Sequence, residues 1–110
     1  MSLLDRIRKA REQKVEAGGV KFTIRRPTDL DMMEMAGTID ARRLIPFVCG
    51  WEGVTEGHIV RGGDPHPLPF DAEACAEWLA DRPDILAPLV EAIISAYSEH
   101  AKKLADEKKP

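Results

Sequence analysis

A chain of 110 residues is long enough for one modest hydrophobic core and short for several domains. Leucine, isoleucine, valine and phenylalanine together make up about 24% of it, more than disordered sequences carry. Charged residues account for 32% and the formal net charge is −3, so the overall balance argues against a dedicated nucleic-acid binder. The charge is unevenly placed, because residues 1–26 carry a net +5 and residues 27–101 a net −10.

The N-terminal region predicts a short helix followed by a β-hairpin. Ser2 is a good N-cap, and apolar residues then recur at helical spacing, which predicts a helix over residues 2–13. The alternation of Val20, Phe22 and Ile24 with polar residues is typical of a half-buried strand. A Gly-Gly pair at 18–19 suits a tight turn, so a hairpin is predicted over residues 14–26.

The rest of the chain predicts helices on either side of a long loop. Residues 28–49 read as short helices, with Thr28 and Asp31 as a capping pair and Pro46 as a kink. Residues 50–70 are rich in glycine and proline and read as a loop, and two helices follow over 71–105 with Asp71 as N-cap. A frayed tail is expected at 106–110. The prediction is one mainly α-helical α+β domain of residues 1–110, with four to five helices and a small N-terminal hairpin.

The motifs of common catalytic and metal sites are missing from the sequence. It has no phosphate-binding loop, no nucleophile elbow and no zinc-type histidine pair, and Cys49 and Cys75 lack metal-ligand spacing. We therefore expect no enzymatic activity, no catalytic residue, no cofactor and no metal. No apolar run reaches transmembrane length and the first residues do not resemble a signal peptide, so a cytoplasmic location is expected.

The candidate functional residues are those suited to contact with another protein. Three methionines share one predicted helix, a tryptophan lies between glycines, and the last helix carries a long apolar stripe. Ordinary core packing is the competing explanation for each, and a homo-oligomer is an alternative use of the same surfaces. The predicted partner-binding residues are Met32, Met33, Met35, Trp51, Ile93 and Tyr97.

The order of motifs resembles a known family. A strand ending in FTIRRPTDLD is followed by VCGWEGVTE, then PLPFDAEACAEWLADRPDILAPLVEAI and a lysine-rich end. This pattern, over roughly residues 20–104, is similar to that of the tail assembly chaperones of long-tailed bacteriophages and prophages. The resemblance implies a non-enzymatic morphogenesis factor that binds the tape measure protein, keeps it soluble and helps recruit tail tube proteins. It also implies action in the bacterial host cytoplasm and absence from the mature virion.

Two other functions compete with this one. The basic N-terminal helix and the terminal lysines suit phosphate contacts, so a small cytoplasmic nucleic-acid-binding regulator is the main alternative. The acidic body would repel a polyanion, which makes nucleic acid the less favoured partner. A phage structural adaptor, present in purified virions, is the third possibility.

Overall fold

The computed structural model describes residues 1–108 and shows an α+β fold with an N-terminal β-hairpin, as predicted. Within these residues it has six α-helices, more than the four to five expected, and three antiparallel strands in the order β1-β2-β3. The elements in chain order are α1 (Leu3–Ala10), β1 (Glu12–Ala17), β2 (Val20–Arg25), α2 (Asp29–Met35), α3 (Ala41–Leu44), a 3₁₀ turn (Ile45–Phe47), β3 (Val48–Glu52), α4 (Glu56–Ile59), α5 (Ala72–Ala80) and α6 (Pro83–Glu107).

The hairpin forms around the two adjacent glycines. Gly18 and Gly19 have φ angles of 60° and 76°, and a two-residue turn with positive φ at both positions matches the twist of the flanking strands. The register places Ala17 opposite Val20 and Val15 opposite Phe22, so the apolar side chains share one face of the sheet. That face of the sheet forms one side of the hydrophobic core.

Strand β3 completes the sheet by pairing with β2. Phe22 lies opposite Trp51 and Ile24 opposite Val48, with a register shift between Thr23 and Ile24. On the outer face Lys14 donates hydrogen bonds to Thr23 and to Glu52, both at 2.9 Å. The outer face of the sheet is therefore polar, and the helices pack on the opposite, apolar face.

Helices α5 and α6 pack on the apolar face of the sheet. Phe22, Leu79 and Leu89 are completely buried at the centre. Trp78 joins them, and its ring centroid lies 6.0 Å from that of Phe22. The core thus draws on the hairpin, β3 and both C-terminal helices.

Two of the predicted helical ranges extend too far at their C-terminal ends. The helix predicted over 2–13 stops at Ala10, because Glu12–Ala17 pairs along its whole length with β2. The short helices predicted over 28–49 are separated at Gly37, whose φ is 80°, but the last two residues of that range belong to β3 and not to a helix. In both places inter-strand hydrogen bonds outweigh the local helical pattern.

The predicted loop over 50–70 is also shorter and more structured than expected. Residues 50–52 lie in β3, and residues 56–59 form the one-turn helix α4. The Leu68 N–H donates to the Val54 carbonyl at 2.7 Å, and an isolated bridge joins Thr55 to Pro67. The tail expected to fray at 106–110 begins inside α6, which continues to residue 107, while residues 109–110 lie outside the described residues.

Candidate protein-binding surfaces

An open apolar groove runs along the solvent side of α6. It has a volume of about 470 Å³ and is walled mainly by α6, with α3 contributing one residue. Among the described residues that line it, Glu91 is the one charged side chain. The lining residues are Ala41, Pro83, Leu86, Ala87, Val90, Glu91, Ile94 and Ser95.

The groove exists because α6 carries apolar residues on two faces. Ile85, Leu89 and Ile93 recur every four residues, are at most 1% exposed and face the sheet. At about 100° per residue, the direction of Ala87 and Ile94 lies about 150° around the helix from that core stripe. Ile94 is accordingly 42% exposed, and no described element covers it.

The short helix α3 forms the far wall of the groove. The Asp40 side chain accepts from the Arg43 backbone N–H at 2.9 Å and so caps the start of α3. Leu44 at its end is 1% exposed and anchors it in the core. This leaves Ala41, whose side chain is a single methyl, facing α6, and the small residue keeps the groove open.

The predicted methionine cluster is divided between the core and the surface. Met35 is 7% exposed, Met32 is half-buried against the core, and Met33 is 70% exposed. Leu30, one turn before Met33, is 68% exposed. The prediction that α2 presents methionines for binding therefore applies to Met33 alone, together with a leucine that the sequence reasoning did not select.

Trp51 and Ile93 are placed in the core and not on a binding surface. The Trp51 indole Nε1–H donates to the Leu68 carbonyl at 2.9 Å, and its ring packs edge-on against Phe70 at 5.1 Å. Ile93 is 1% exposed. Their predicted partner-binding role is therefore wrong for this fold. The register of β3 sets Trp51 opposite the buried Phe22, and the four-residue spacing along α6 turns Ile93 inward. Trp51 instead anchors the two ends of the connection between β3 and α5.

Tyr97 is half-buried and tethers α2 to α6. Its hydroxyl donates to the Asp29 carboxylate at 2.8 Å, and this hydrogen bond raises the Tyr97 pKa above its ordinary value. The imidazole of His100 lies beside it, with ring centroids 6.1 Å apart. Tyr97 thus makes an internal contact at the start of α2, and its partner-binding role stays a prediction.

Helix α1 is the second unpartnered apolar surface. None of its eight residues is buried, and Leu3, Leu4 and Ile7 are 65%, 52% and 41% exposed. Its polar side chains are Asp5 in the first turn and the three basic residues Arg6, Arg8 and Lys9. The sequence predicted the helix but gave no reason to expect that its apolar face stays uncovered. The strand that begins directly after Arg11 could have indicated this, because it leaves no linker that would let α1 fold back onto the core.

The side chains that commonly bind metals are dispersed within residues 1–108. No group of three or more histidine, cysteine or acidic side chains is placed to hold a metal ion there. Burial raises the pKa of the Cys75 thiol to about 11. Asp64 is exposed, and its pKa is lowered by hydrogen bonds from the backbone N–H and then the ring of His66, in an ordinary turn. No helix of the described residues is long and apolar enough to cross a bilayer.

Comparison with protein-family models, with curated proteins and with solved structures gives no significant match for this chain. The surfaces described above are therefore what bears on function.

Proposed function

We propose that this protein is a non-enzymatic phage tail assembly chaperone that holds an amphipathic helix of the tape measure protein in the α6 groove. The groove is the observation that carries the proposal, because it is apolar, open at the surface and bordered by one carboxylate. The sequence resemblance over residues 20–104 supplies the identity of the client. Recruitment of tail tube subunits, action in the host cytoplasm and absence from the virion belong to the same proposal.

The dimensions of the groove suit a helical client. Pro83 to Ser95 span about 18 Å along α6, which corresponds to more than three turns of a docked helix. Amphipathic helices are recognised in such grooves through apolar anchors one turn apart. A long helical protein that has not yet been enclosed by its tube exposes such faces, and covering them would prevent its aggregation.

The exposed part of α2 extends the same side of the molecule. Ala41 lines the groove, and Asp29 at the start of α2 is bonded to Tyr97, one turn beyond Ile94 along α6. Helix α2 is thereby held near the C-terminal end of the groove. Met33 suits a secondary contact for the client, since its flexible thioether adapts to different partners.

The experiment is co-expression with the tape measure protein encoded in the same genome region, followed by pull-down and a solubility assay. The native chain is expected to copurify with the tape measure protein and keep it soluble. Ile94→Glu should abolish both effects, whereas Val60→Glu, a matched change at an exposed residue outside the groove, should preserve them. Equal insolubility of the tape measure protein with and without the chain would overturn the proposal.

A second comparison separates the groove from the methionine helix. Met33→Gln removes an exposed apolar side chain on α2 without touching the groove. We expect it to weaken client binding less than Ile94→Glu does. The reverse order would place the main client contact on α2.

A further inference from the structure

Helix α1 is attached to the domain at its C-terminal end only. It ends at Ala10, and β1 begins at Glu12, so Arg11 is the one residue between them. The Arg11 carbonyl accepts the Arg26 backbone N–H at 2.8 Å, which ties the junction to the end of β2. With a single fixed residue as connection, α1 has no linker that would let it swing to a distant surface.

The attachment point lies on the wrong side of α6 for α1 to reach the groove of its own chain. Ala10 and Arg11 border a polar cleft whose other wall is formed by Ala96, His100 and neighbouring residues of α6. At about 100° per residue, that cleft is about 160° around α6 from Ile94. Each chain therefore carries an uncovered apolar helix and an uncovered apolar groove that are kept apart.

The two surfaces are complementary in size and in charge. Helix α1 has eight residues and is about 12 Å long, so it fits within the groove length of about 18 Å. Its polar face carries Arg6, Arg8 and Lys9 against one acidic residue, Asp5, and is net positive, whereas the described lining of the groove carries Glu91 and no cation. Opposite charges at the edge of an apolar contact orient the two partners and favour their encounter.

We propose that α1 of one copy docks in the α6 groove of a second copy, with Leu3, Leu4 and Ile7 against Val90 and Ile94. The contact joins two different surfaces, so it either closes through reciprocal docking of two copies or a ring of several, or continues as an open chain. The docked α1 occupies the groove that the client helix would use. The self-association stands on the geometry alone, and the competition with a client rests on the proposed function.

The test uses two variants that each remove one half of the contact. Ile7→Glu alters an exposed residue of α1 and Ile94→Glu an exposed residue of the groove, so the fold should persist in both, as circular dichroism would verify. By sedimentation velocity over a wide concentration range, the native chain should self-associate. Each variant should dissociate at least about tenfold more readily, since a charge replaces a buried apolar anchor. Val60→Glu should behave as the native chain.

Mixing the two variants identifies which surfaces meet. Ile94→Glu keeps an intact α1 and Ile7→Glu keeps an intact groove, so an equimolar mixture should form a one-to-one dimer and nothing larger. A mixture that stays monomeric would overturn the proposal, because α1–α1 or groove–groove contacts cannot be rebuilt in this way. A native chain that remains monomeric at every concentration would overturn it as well.

A charge reversal tests whether Glu91 faces the basic side chains of the docked α1. Glu91→Lys places a cation in the groove against the basic face of α1 and should weaken the self-association severalfold. Glu77→Lys makes the same change on the exposed surface of α5 and should leave it unaltered. Equal effects of the two variants would remove Glu91 from the interface.

The two proposals fail separately. Self-association without rescue of the tape measure protein would leave the α1 contact standing and remove the chaperone function. Client binding by Ile7→Glu at full strength, with self-association lost, would support both. Client binding that also requires Ile7 would show that α1 contacts the client and would overturn the competition.

Discussion

The turn of the N-terminal hairpin offers a quantitative test of how α6 is held. Gly18 has a φ angle of 60°, and a Cβ added there would lie 2.7 Å from Cγ1 and 2.9 Å from Cδ1 of Ile85. Ile85 is 1% exposed, so its side chain has no free space in which to turn away. Gly19 has a similar φ angle of 76°, but a Cβ there would meet nothing within 4 Å.

The two glycines therefore separate backbone strain from steric overlap. An alanine forced into the left-handed region costs about 1 kcal/mol at either position. At Gly18 the overlap with Ile85 adds about 1–3 kcal/mol, the usual range for overpacking a well-filled core. We expect Gly18→Ala to lower the free energy of unfolding by about 2–4 kcal/mol and Gly19→Ala by about 1 kcal/mol.

Urea unfolding followed by tryptophan fluorescence measures both values, because Trp51 and Trp78 are buried in the folded chain. Ile85→Ala removes both overlapping carbons, so a double-mutant cycle with it isolates their contribution to the loss of unfolding free energy in Gly18→Ala. The double variant should lose less unfolding free energy than the sum of the losses in the two single variants. Equal destabilisation by Gly18→Ala and Gly19→Ala, or an additive cycle, would refute the close approach of the turn to α6.

Three further predictions concern single groups. Trp51→Phe removes the hydrogen bond to Leu68 and should lower the free energy of unfolding by about 1–3 kcal/mol in urea, and an unchanged midpoint would contradict the anchoring role. The pKa of Cys75 is raised to about 11 from 9.0, so stability should fall as pH rises from 9 to 11, because the unfolded thiol ionises first; Cys75→Ala should lack this component. Tyr97 is the one tyrosine, so ultraviolet titration should give a midpoint above 10.0 that Asp29→Asn lowers, and identical midpoints would disprove the hydrogen bond.

The local signals in the sequence predicted most of the helix starts and the hairpin. Ser2, Thr28 and Asp71 each accept from a backbone N–H three residues later, as capping residues do. The adjacent glycines form the turn of the hairpin for the conformational reason expected. These features depend on neighbours within about four residues, which is why pattern reasoning finds them.

The features that were missed depend on residues distant in the chain. Val48 pairs with Ile24, and this contact turns the end of a predicted helix into a strand. Ile93 and Ile94 are adjacent in an apolar run, yet one faces the sheet and is buried, whereas the other borders the groove. The sequence predicts that α6 carries an apolar stripe, but it does not predict which part of that stripe the sheet covers.

The uncovered surfaces follow from the unequal lengths of the elements. Helix α6 has 25 residues and is about 38 Å long, whereas strands of six residues span about 20 Å. The buried residues of α6 are Ile85, Leu89 and Ile93, all in its N-terminal half, and α3, with four residues, is too short to cover the opposite face. A longer α3 would close the groove within one chain. A partner helix achieves the same burial without that change, and α1 is a helix of the required length and charge that its own chain leaves uncovered.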